Sequence, residues 1–474
     1  MHRSRLFFIW CLLLLTVAGL PLLTGCNKLL DAGTPSDKVI TSQVYSNDTL
    51  AQAAVIGIYF KMMDNFGPNN GYMSRYPGLL TDDLNRGAVL AEDTPFLKSI
   101  LPADNKSVWQ TWTLSYAYIY QCNDVITGLS GNRSVTPILR DQLLGEVYFL
   151  RALCYFYLVN LYGDVPLVLN TDYTKNDNAP RTSVSEVYDQ IVADLNLAQS
   201  LLIDAYATTP EFPGARVRVN RLAVKALLAR IYLYREQWAL ADAAATEVID
   251  NGIYKLETDL NQTFRYNSRE AILQFMPVSN AFNTAEGSLF VPLAPGARPP
   301  FVLSDSLLKY IEPNDLRQGW IRNVTVGGKL YRCPYKYKQN LPTPRDEYNI
   351  VLRLAEQYCI RAEARARLDR LPEAVSDLNA IRKRAGLQGL TTISTQTQMI
   401  AAIEQERHIE LFAEWGHRWF DLKRWPARAN DGKKRIDEVM SALRPDTWQP
   451  TAALWPIPSD ERIRNRALTQ NPGY

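Results

Sequence analysis

The sequence predicts a mainly α-helical protein, built from helix pairs and interrupted by one irregular, partly β insertion. Three observations support this fold class. Apolar residues recur at steps of three and four along most long segments. Two pairs of such segments have a short connection and alanines at matching positions. The stretch from about 255 to 345 instead combines short strand-like runs with many Pro, Gly and Asn residues, which are typical of loops and turns.

Residues 1–25 are predicted to be a targeting segment and not part of the fold. Two arginines precede the apolar run Leu6–Leu15, which is shorter than the roughly 20 residues that cross a bilayer as a helix. The run is followed by Leu23-Thr24-Gly25-Cys26, which resembles the lipobox of bacterial lipoproteins. We therefore predict cleavage before Cys26, lipid modification of Cys26, and one mature domain of residues 26–474.

The charge balance argues against one class of partner. The chain has 52 lysines and arginines, two of which lie in the targeting segment, against 49 aspartates and glutamates. Subtracting those two leaves 50 basic residues against 49 acidic ones, so the predicted mature chain has almost no net charge. Because nucleic-acid binding depends on a basic surface, we expect no nucleic-acid partner. Membrane attachment is expected to depend on the lipid and not on charge.

The first half of the chain alternates helical patterns with loops. Helices are predicted over about 48–65, 105–128 and 137–162, and the stretch between the first two is rich in loops. The third helix ends at a glycine followed by a proline, which is a common end of a helix. Ser183 and Glu186 have the spacing of a capping box, so a further helix is predicted to begin there.

Two later helix pairs show a weak internal repeat. The first pair is predicted over about 218–235 and 238–251, and the second over about 348–368 and 372–386. When the pairs are aligned, small alanines coincide, which allows the paired helices to approach closely. This arrangement resembles tetratricopeptide repeat units, although the spacing is not a continuous array with the roughly 34-residue period of that repeat.

The segment Glu404–Trp425 has the most distinctive pattern in the chain. Large apolar residues, among them Trp415 and Trp419, form one stripe at helical spacing, and the acids precede the bases along the axis. We therefore predict one continuous helix that is nearly surrounded by protein and whose ions are paired. His408 and His417 would lie about half a turn out of phase on this helix, so they are not expected to share a metal or a substrate.

Little in the sequence points to catalysis. It has no phosphate-binding glycine loop, no dinucleotide-binding motif and no nucleophile elbow. A glycosidase needs only two carboxylates, and Asp82-Asp83 is the obvious candidate pair, but adjacent side chains usually diverge. No catalytic residue, cofactor or metal is therefore predicted. Four later cysteines lack any C-x-x-C spacing and are predicted to be free, buried thiols: Cys122, Cys154, Cys333 and Cys359.

Carbohydrate binding has simpler requirements than catalysis, because a sugar needs only an aromatic face and polar side chains that bond to its hydroxyls. Two loop-rich stretches, about 66–112 and 255–345, contain that mixture. Trp109 and Trp320 are the preferred candidates, since neither fits a helical core stripe as well as the other tryptophans do. The remaining ligand-binding candidates are Tyr76, Asp82, Asp83, Arg86, Phe282 and Asn283.

Several segments, in this order along the chain, resemble signatures of the SusD/RagB family of surface glycan-binding lipoproteins. They are Arg151–Pro166, Leu228–Leu233 with Trp238, Arg353–Glu356 with Ala362–Ala364, Asn379–Leu387, Glu404–Trp425, Trp455–Pro458 and Gln470–Tyr474. The resemblance extends over nearly the whole mature chain, but its residues belong mainly to the scaffold. Family members bind their ligands through variable loops, so no contact residue is transferred by motif.

The resemblance implies a helical body of four tetratricopeptide-like helix pairs and a lipid anchor in the outer membrane, facing the cell exterior. It also implies a partner, a SusC-like TonB-dependent transporter, which receives a captured glycan. The near-neutral charge and aromatic loops fit a neutral or mixed glycan better than a polyanion. Two alternatives remain open: a peptide-binding member like RagB, and a tetratricopeptide-type scaffold that binds a protein and no small ligand.

Overall fold

The computed structural model describes residues 41–474, except 89, 208–214, 295, 392 and 430. The predicted signal peptide and Cys26 lie outside these residues. The helices are α1 (Thr41–Val44), α2 (Asp48–Asp64), α3 (Tyr72–Leu80), α4 (Thr94–Lys98), α5 (Lys106–Leu129), α6 (Pro137–Tyr162), α7 (Tyr173–Asn176), α8 (Val184–Leu201), α9 (Arg221–Tyr234), α10 (Trp238–Asp250), α11 (Ala285–Phe290), α12 (Asp305–Leu308), α13 (Leu354–Arg367), α14 (Leu371–Arg384), α15 (Gln396–Leu411), α16 (His417–Arg424), α17 (Arg435–Leu443) and α18 (Ser459–Arg464). The strands are β1 (Leu84–Arg86), β2 (Ala271–Phe275), β3 (Phe301–Leu303), β4 (Ile321–Val326), β5 (Lys329–Pro334) and β6 (Asn349–Arg353).

The mainly α-helical class is confirmed, and so are most of the early helices. The helix predicted over 137–162 has those bounds, and α2 and α5 differ from their predictions by about one residue. The capping box is also present, since the Ser183 hydroxyl accepts from the Glu186 amide and the Glu186 carboxylate accepts from the Ser183 amide. None of the described helices has the length and apolarity that a membrane span requires.

The two helix pairs pack against each other through small residues. Helices α9 and α10 form one pair, α13 and α14 form the other, and α10 lies against α13. The contact between the pairs is made by alanines with a few larger side chains: Ala229, Leu233, Ala241, Ala244, Ala245, Ile360 and Ala364. All seven are buried, so the alanine pattern of the sequence corresponds to close helix packing.

The prediction of one helix over 348–368 is wrong at its start. Residues Asn349–Arg353 form strand β6, which pairs antiparallel with β2, and helix α13 begins only at Leu354. Every residue of both strands is buried. A strand that is buried on both faces is a continuous apolar run without period-two alternation, so its sequence cannot be distinguished from the start of a buried helix.

The single helix predicted over Glu404–Trp425 is also wrong. Helix α15 ends at Leu411, and α16 starts at His417. Three residues of the connection have left-handed backbone angles, with φ of 53° at Ala413, 45° at Trp415 and 71° at Gly416. Such angles cost roughly 1–2 kcal/mol for a residue with a side chain. The packing of this region therefore stabilises the break.

Contacts on both sides of the break account for it. The Trp415 indole donates to the carbonyl of Ile350 at 2.6 Å and stacks on Tyr157, with ring centroids 5.5 Å apart. A Cβ on Gly416 would lie only 2.8 Å from the Cβ of Pro77, so this position requires glycine for space as well as for its φ. The core positions predicted for Trp415 and Trp419 are confirmed, with exposures of 4% and 0%.

Buried ions surround the end of α15, as the paired charges of that segment predicted. We call this cluster the ionic core: Glu270, Arg317, Lys336, Arg353, Arg384, Glu410 and Glu414. Arg353 donates to Glu410 at 2.6 Å and to Glu414 at 2.8 Å. Burial alone would raise the pKa of Glu410, but the charges of Arg384, Arg353 and Arg317 hold it well below its usual value.

The C-terminal tail wraps the helical body, as its irregular sequence suggested. The Trp455 amide donates to the Leu161 carbonyl at 2.7 Å, and its indole is fully buried. The Asn471 side chain donates to the carbonyls of Tyr162 and Trp455, at 2.8 Å and 2.7 Å. These bonds place residues 455–471 against the end of α6. The four later cysteines are free and buried, in agreement with their prediction.

Candidate functional site

Trp109 lies in a small cavity between the start of α5 and the C-terminal tail, which we call the Trp109 cavity. Its volume is about 160 Å³, and it is lined by Ala103, Asp104, Lys106, Trp109, Pro458, Ser459 and Asp460. The Ser459 amide donates to the Ala103 carbonyl at 2.9 Å. The start of α5 and the C-terminal tail, which are far apart in sequence, therefore form one site.

The orientation of Trp109 is fixed from two sides. Asn105 caps α5, because its side chain accepts from the amides of Ser107 and Val108. The Trp109 indole nitrogen donates to the Glu461 carboxylate at 3.2 Å, so the polar edge of the ring is satisfied within the protein. Trp109 remains partly exposed, and its apolar ring lines the cavity.

The groups around this ring match the needs of a sugar. An aromatic face provides apolar contact with the carbon–hydrogen side of a pyranose ring. Asp104, Ser459 and Asp460 present carboxylate and hydroxyl oxygens that accept hydrogen bonds, and Lys106 presents a donor. The volume is below the roughly 300–1,000 Å³ of pockets that enclose a small molecule. The Trp109 cavity therefore suits one residue of a longer chain and not an enclosed ligand.

A second cavity lies against the β4–β5 hairpin, and we call it the hairpin cavity. Its volume is about 410 Å³, and its lining residues are Leu308, Ile311, Gln318, Ile321, Asn323 and Arg332. Asn323 and Arg332 are opposite each other in the strand register, so their side chains extend from the same face of the hairpin. The hairpin turn is Gly327-Gly328, and both residues have positive φ, as tight hairpin turns require.

The prediction that Trp320 contacts ligand is wrong. Its side chain is 1% exposed, its indole donates to the Leu260 carbonyl at 3.1 Å, and it packs edge-on against Phe264. The Lys336 ammonium lies 4.9 Å from its ring centroid. Trp320 therefore belongs to the core below the hairpin. Its neighbour Ile321 lines the hairpin cavity.

Asp82 and Asp83 are also buried and fully engaged. Arg418 donates to both oxygens of Asp82 at 2.8 Å, and His408 lies 2.7 Å from Asp83. Burial opposes ionisation of Asp82, but Arg418 and His408 hold its pKa well below the usual value. Asp82 and Asp83 are only 5% and 3% exposed, so neither carboxylate is accessible to a ligand, and the prediction of ligand contact is wrong for both.

These aspartates and His408 form a cluster with metal-ligating atoms within 4.8 Å of one another. Sequence reasoning missed it, because it compared His408 only with His417. The chemistry does not favour a cation, since both oxygens of Asp82 are already bound by the positive guanidinium of Arg418. We therefore interpret the cluster as a structural ion network.

Two aromatic candidates, Tyr76 and Phe282, are part of the packing. Tyr76 is 2% exposed, and its ring stacks on Phe96 with centroids 4.2 Å apart. Phe282 is 6% exposed and stacks on Phe66 at 4.8 Å. Neither ring has a free face for a ligand, so both predictions of ligand contact are wrong.

The last two candidates differ from each other. Asn283 is fully buried, and its side-chain nitrogen donates to the Pro344 carbonyl at 2.9 Å, so the prediction of ligand contact is wrong here too. Arg86 is partly exposed at the end of β1 and donates to the Thr94 hydroxyl at 3.0 Å. Among the predicted contact residues, Trp109 and Arg86 are accessible.

Sequence reasoning missed the residues that complete both cavities. Ser459 and Asp460 are polar positions in an irregular tail, and no spacing in the sequence connects them with Trp109. Asn323 and Arg332 did carry a signal, because they are polar residues at equal distances from a Gly-Gly turn between two β-rich runs. That signal predicts a hairpin with one polar face.

Two family models match this chain. One is described as the SusD family and matches residues 254–474. The other is described as starch-binding and associating with the outer membrane, and matches residues 36–233. The two matched ranges do not overlap. The range 254–474 contains the hairpin cavity, and the range 36–233 contains Trp109.

Individual proteins agree with the models. A SusD-like protein of Formosa agariphila is 23% identical, covering 97% of this chain and 98% of the relative. The crystal structure of a SusD superfamily protein from Bacteroides thetaiotaomicron VPI-5482 has a TM-score of 0.76 at 22% identity, covering 90% of this chain and 100% of that one. A laminarin-binding SusD-like protein has a TM-score of 0.73 at 24% identity, covering 91% and 100%. The chain belongs to the SusD/RagB family.

Proposed function

We propose that this protein is a non-catalytic, lipid-anchored glycan-binding protein of the outer membrane, which passes its ligand to a SusC-like TonB-dependent transporter. Family membership supports the proposal, as does the description of the second model as starch-binding and outer-membrane-associated. The laminarin binding of one related structure is a further precedent within the fold. The lipobox-like sequence that ends at Cys26 supports the anchor.

The Trp109 cavity is the observation that carries the glycan assignment. It offers a partly exposed indole whose nitrogen is already bonded to Glu461, together with oxygen acceptors from Asp104, Ser459 and Asp460. A preorganised ring costs less entropy to bind against than a mobile one. The hairpin cavity, with Gln318 and Asn323, provides a second surface for a longer chain.

Binding of polysaccharides in native gels, followed by calorimetry, tests this proposal. The panel contains α-glucans, the β-glucan laminarin, other neutral polysaccharides and a casein digest, and the protein begins after Cys26. We expect retention by at least one glycan and at least a tenfold loss with Trp109→Ala, the factor that corresponds to about 1.4 kcal/mol. The control is Tyr173→Ala, which removes a 72% exposed ring outside both cavities.

The outcomes separate the open alternatives. Binding of the casein digest without any glycan would favour a peptide-binding protein. No binding to any member of the panel would favour the scaffold. Equal losses with Trp109→Ala and Tyr173→Ala would contradict the assignment of the site while leaving glycan binding intact. The anchor is tested separately: the Cys26→Ala protein should leave the membrane fraction, and its retention after a high-salt wash would contradict the lipid anchor.

A further inference from the structure

The two faces of the β4–β5 hairpin carry different side chains. Because residues alternate along a strand, Asn323 and Arg332 extend toward the hairpin cavity, and the pairs beside them extend from the opposite face. On that opposite face, Arg322 and Tyr331 are partly exposed and Lys329 is exposed. We call this surface, together with Tyr335 and the cations that lie beside its two tyrosines, the basic face: Arg298, Arg322, Lys329, Tyr331, Tyr335 and Lys338.

Each tyrosine of the basic face lies beside two cations. The distances from the ring centroid are 5.4 Å for Arg298 and 5.3 Å for Lys329 at Tyr331, and 5.4 Å for Arg322 and 5.3 Å for Lys338 at Tyr335. Contact with an aromatic ring favours a defined position of the cation on the surface, but it does not neutralise the charge. The rings therefore hold like charges near each other, and a bound anion would reduce their repulsion.

The acids of this region do not neutralise the basic face. The structure describes every residue from 298 to 338, and the acids among them are Asp305, Glu312 and Asp315. Glu312 and Asp315 are each bound to an arginine outside the basic face, at 2.6 Å and 2.8 Å. Asp305 alone remains, and it forms no salt bridge with any described residue. The hairpin and its surroundings are therefore locally positive, although the predicted mature chain is almost neutral.

The four cations of the basic face differ in how far they are compensated. Lys338 is partly offset, because its ammonium donates to Asn261, which in turn donates to Asp259 at 2.9 Å. The other three cations form no salt bridge within the described part of the chain: Arg298, Arg322 and Lys329. Guanidinium and ammonium groups that are accessible and unpaired bind carboxylate, sulfate and phosphate groups.

The arrangement of these cations favours an anion that is repeated along a chain. Tyr331 and Tyr335, each with its own cations, are four residues apart, which is roughly 13 Å along an extended chain. One small anion therefore cannot contact both groups. The hairpin cavity lies on the other face of the same two strands, so a glycan that contacts the hairpin also lies near the basic face.

We propose that the basic face binds the acidic residues of a polysaccharide, through uronate carboxylates or sulfate esters spaced along one chain. This inference rests on the proposed glycan-binding function and names its substrate class. The near-neutral charge of the whole sequence favoured a neutral or mixed glycan. The local charge of the hairpin favours an acidic one, because the acids near it are already bound to other arginines.

Matched polysaccharides test the proposal with the chain that begins after Cys26. Polygalacturonate and its methyl ester share a backbone and differ in charge, and dextran sulfate with dextran forms the corresponding sulfate pair. We expect calorimetry to show tighter binding of the charged member of at least one pair, and weaker binding at high ionic strength. The pair that shows this preference identifies the anion as carboxylate or sulfate.

Substitutions then locate the binding surface. Arg298→Gln, Arg322→Gln and Lys329→Gln should each weaken binding of the charged glycan by up to about fivefold, the upper value for an exposed ion pair, and the triple variant by about twentyfold or more. The control is Arg133→Gln, which makes the same change of charge in the loop between α5 and α6. Arg133 is exposed and forms no salt bridge with a described residue, so its variant should bind like wild type. Thermal melting checks that each variant is folded.

Three outcomes would overturn the inference. The first is equal binding of the charged and neutral members of both pairs. The second is an equal loss of affinity in the triple variant and in Arg133→Gln. The third is binding to phosphatidylglycerol vesicles as tight as to the charged glycan, which would assign the basic face to a lipid surface. Glycan binding that is lost with Trp109→Ala but unchanged in the triple variant would also overturn it, and would leave the proposed function intact.

Discussion

The ionic core and the β4–β5 hairpin use arginine in opposite ways. In the ionic core, Arg353 meets Glu270, Glu410 and Glu414 at 2.9 Å or less, and its side chain is 2% exposed. On the hairpin, Arg322 and Arg332 form no salt bridge with any described residue, and Arg322 lies over the Tyr335 ring. The net charge of the chain conceals this difference, because it counts paired and unpaired arginines alike.

Glu410→Gln should produce the largest effect in this comparison. The variant leaves Arg317, Arg353 and Arg384 buried with one negative charge fewer, and breaking a buried ion pair costs about 3–5 kcal/mol. Urea unfolding followed by circular dichroism measures the loss. If the free energy of unfolding fell by less than about 1 kcal/mol, the ionic core would tolerate an unpaired arginine. The ionic core and the hairpin would then not differ in this respect.

Two glycine substitutions compare the segment after α15, beside the ionic core, with the turn of the hairpin. Gly416→Ala places a Cβ 2.8 Å from Pro77 at a φ of 71°, so strain and overpacking together should cost about 2–3 kcal/mol. Gly328 in the hairpin turn has a φ of 79° but open space around it, so Gly328→Ala should cost only about 1 kcal/mol. Unfolding midpoints of both variants give the difference, and equal losses would mean that the close contact with Pro77 relaxes freely.

Glu286 and Glu410 are both buried acids, but Glu410 is bound by arginines, whereas Glu286 accepts from Ser74 and Asn349. Burial raises its pKa to about 6, and the nearby charge of Glu414 acts in the same direction. The pKa in the folded state exceeds that in the unfolded state, so this group favours folding below about pH 4.5 and loses that contribution as the pH rises through about 6. Glu410 behaves oppositely, because its lowered pKa favours folding above about pH 4.5 and that contribution is lost in acid.

The corresponding variant is Glu286→Gln, compared with wild type across this pH range. Its stability relative to wild type should improve between about pH 4.5 and pH 7 by about 1–2 kcal/mol, the value of a shift of that size. Ser74 and Asn349 donate to the carboxylate, and the amide retains one acceptor for them. A constant difference at every pH would contradict the raised pKa.

Arg332→Gln should have the smallest effect on stability. An exposed arginine without an ion pair contributes within about 0.5 kcal/mol, so the unfolding midpoint should stay unchanged. The same variant removes a positive charge from the hairpin cavity. A destabilisation as large as that of Glu410→Gln would show that the hairpin arginines are structural, and the two regions would then differ in exposure alone.

Local sequence patterns predicted the helices, and tertiary contacts decided where the predictions failed. Helix α6 has its predicted bounds because its apolar spacing and its Gly-then-Pro end agree. The break at Ala413–Gly416 was missed because Phe412, Trp415 and Trp419 keep helical spacing across it. The contact of Gly416 with Pro77, more than 300 residues away in sequence, decides the conformation there.

The candidate site was less predictable than the fold for the same reason. An aromatic residue in an irregular stretch can be a platform or part of the packing, and its neighbours in space decide which. Trp109 lies in the first turn of α5 and remains partly exposed, whereas Trp320 is covered by Phe264 and Lys336. Nothing near either tryptophan in sequence differs in a way that separates these outcomes. The buried polar candidates failed because their partners, such as Arg418 for Asp82, come from distant segments.

The bond between Ser459 and Ala103 has a consequence for the order of events during folding. One wall of the Trp109 cavity comes from the start of α5 and the other from the C-terminal tail, and Trp109 and Glu461 are 352 residues apart. Contacts of such sequence separation form late, after the intervening chain has condensed. The helices can therefore form while the cavity still lacks one wall. The cavity is complete only when the C-terminal tail has packed against the start of α5.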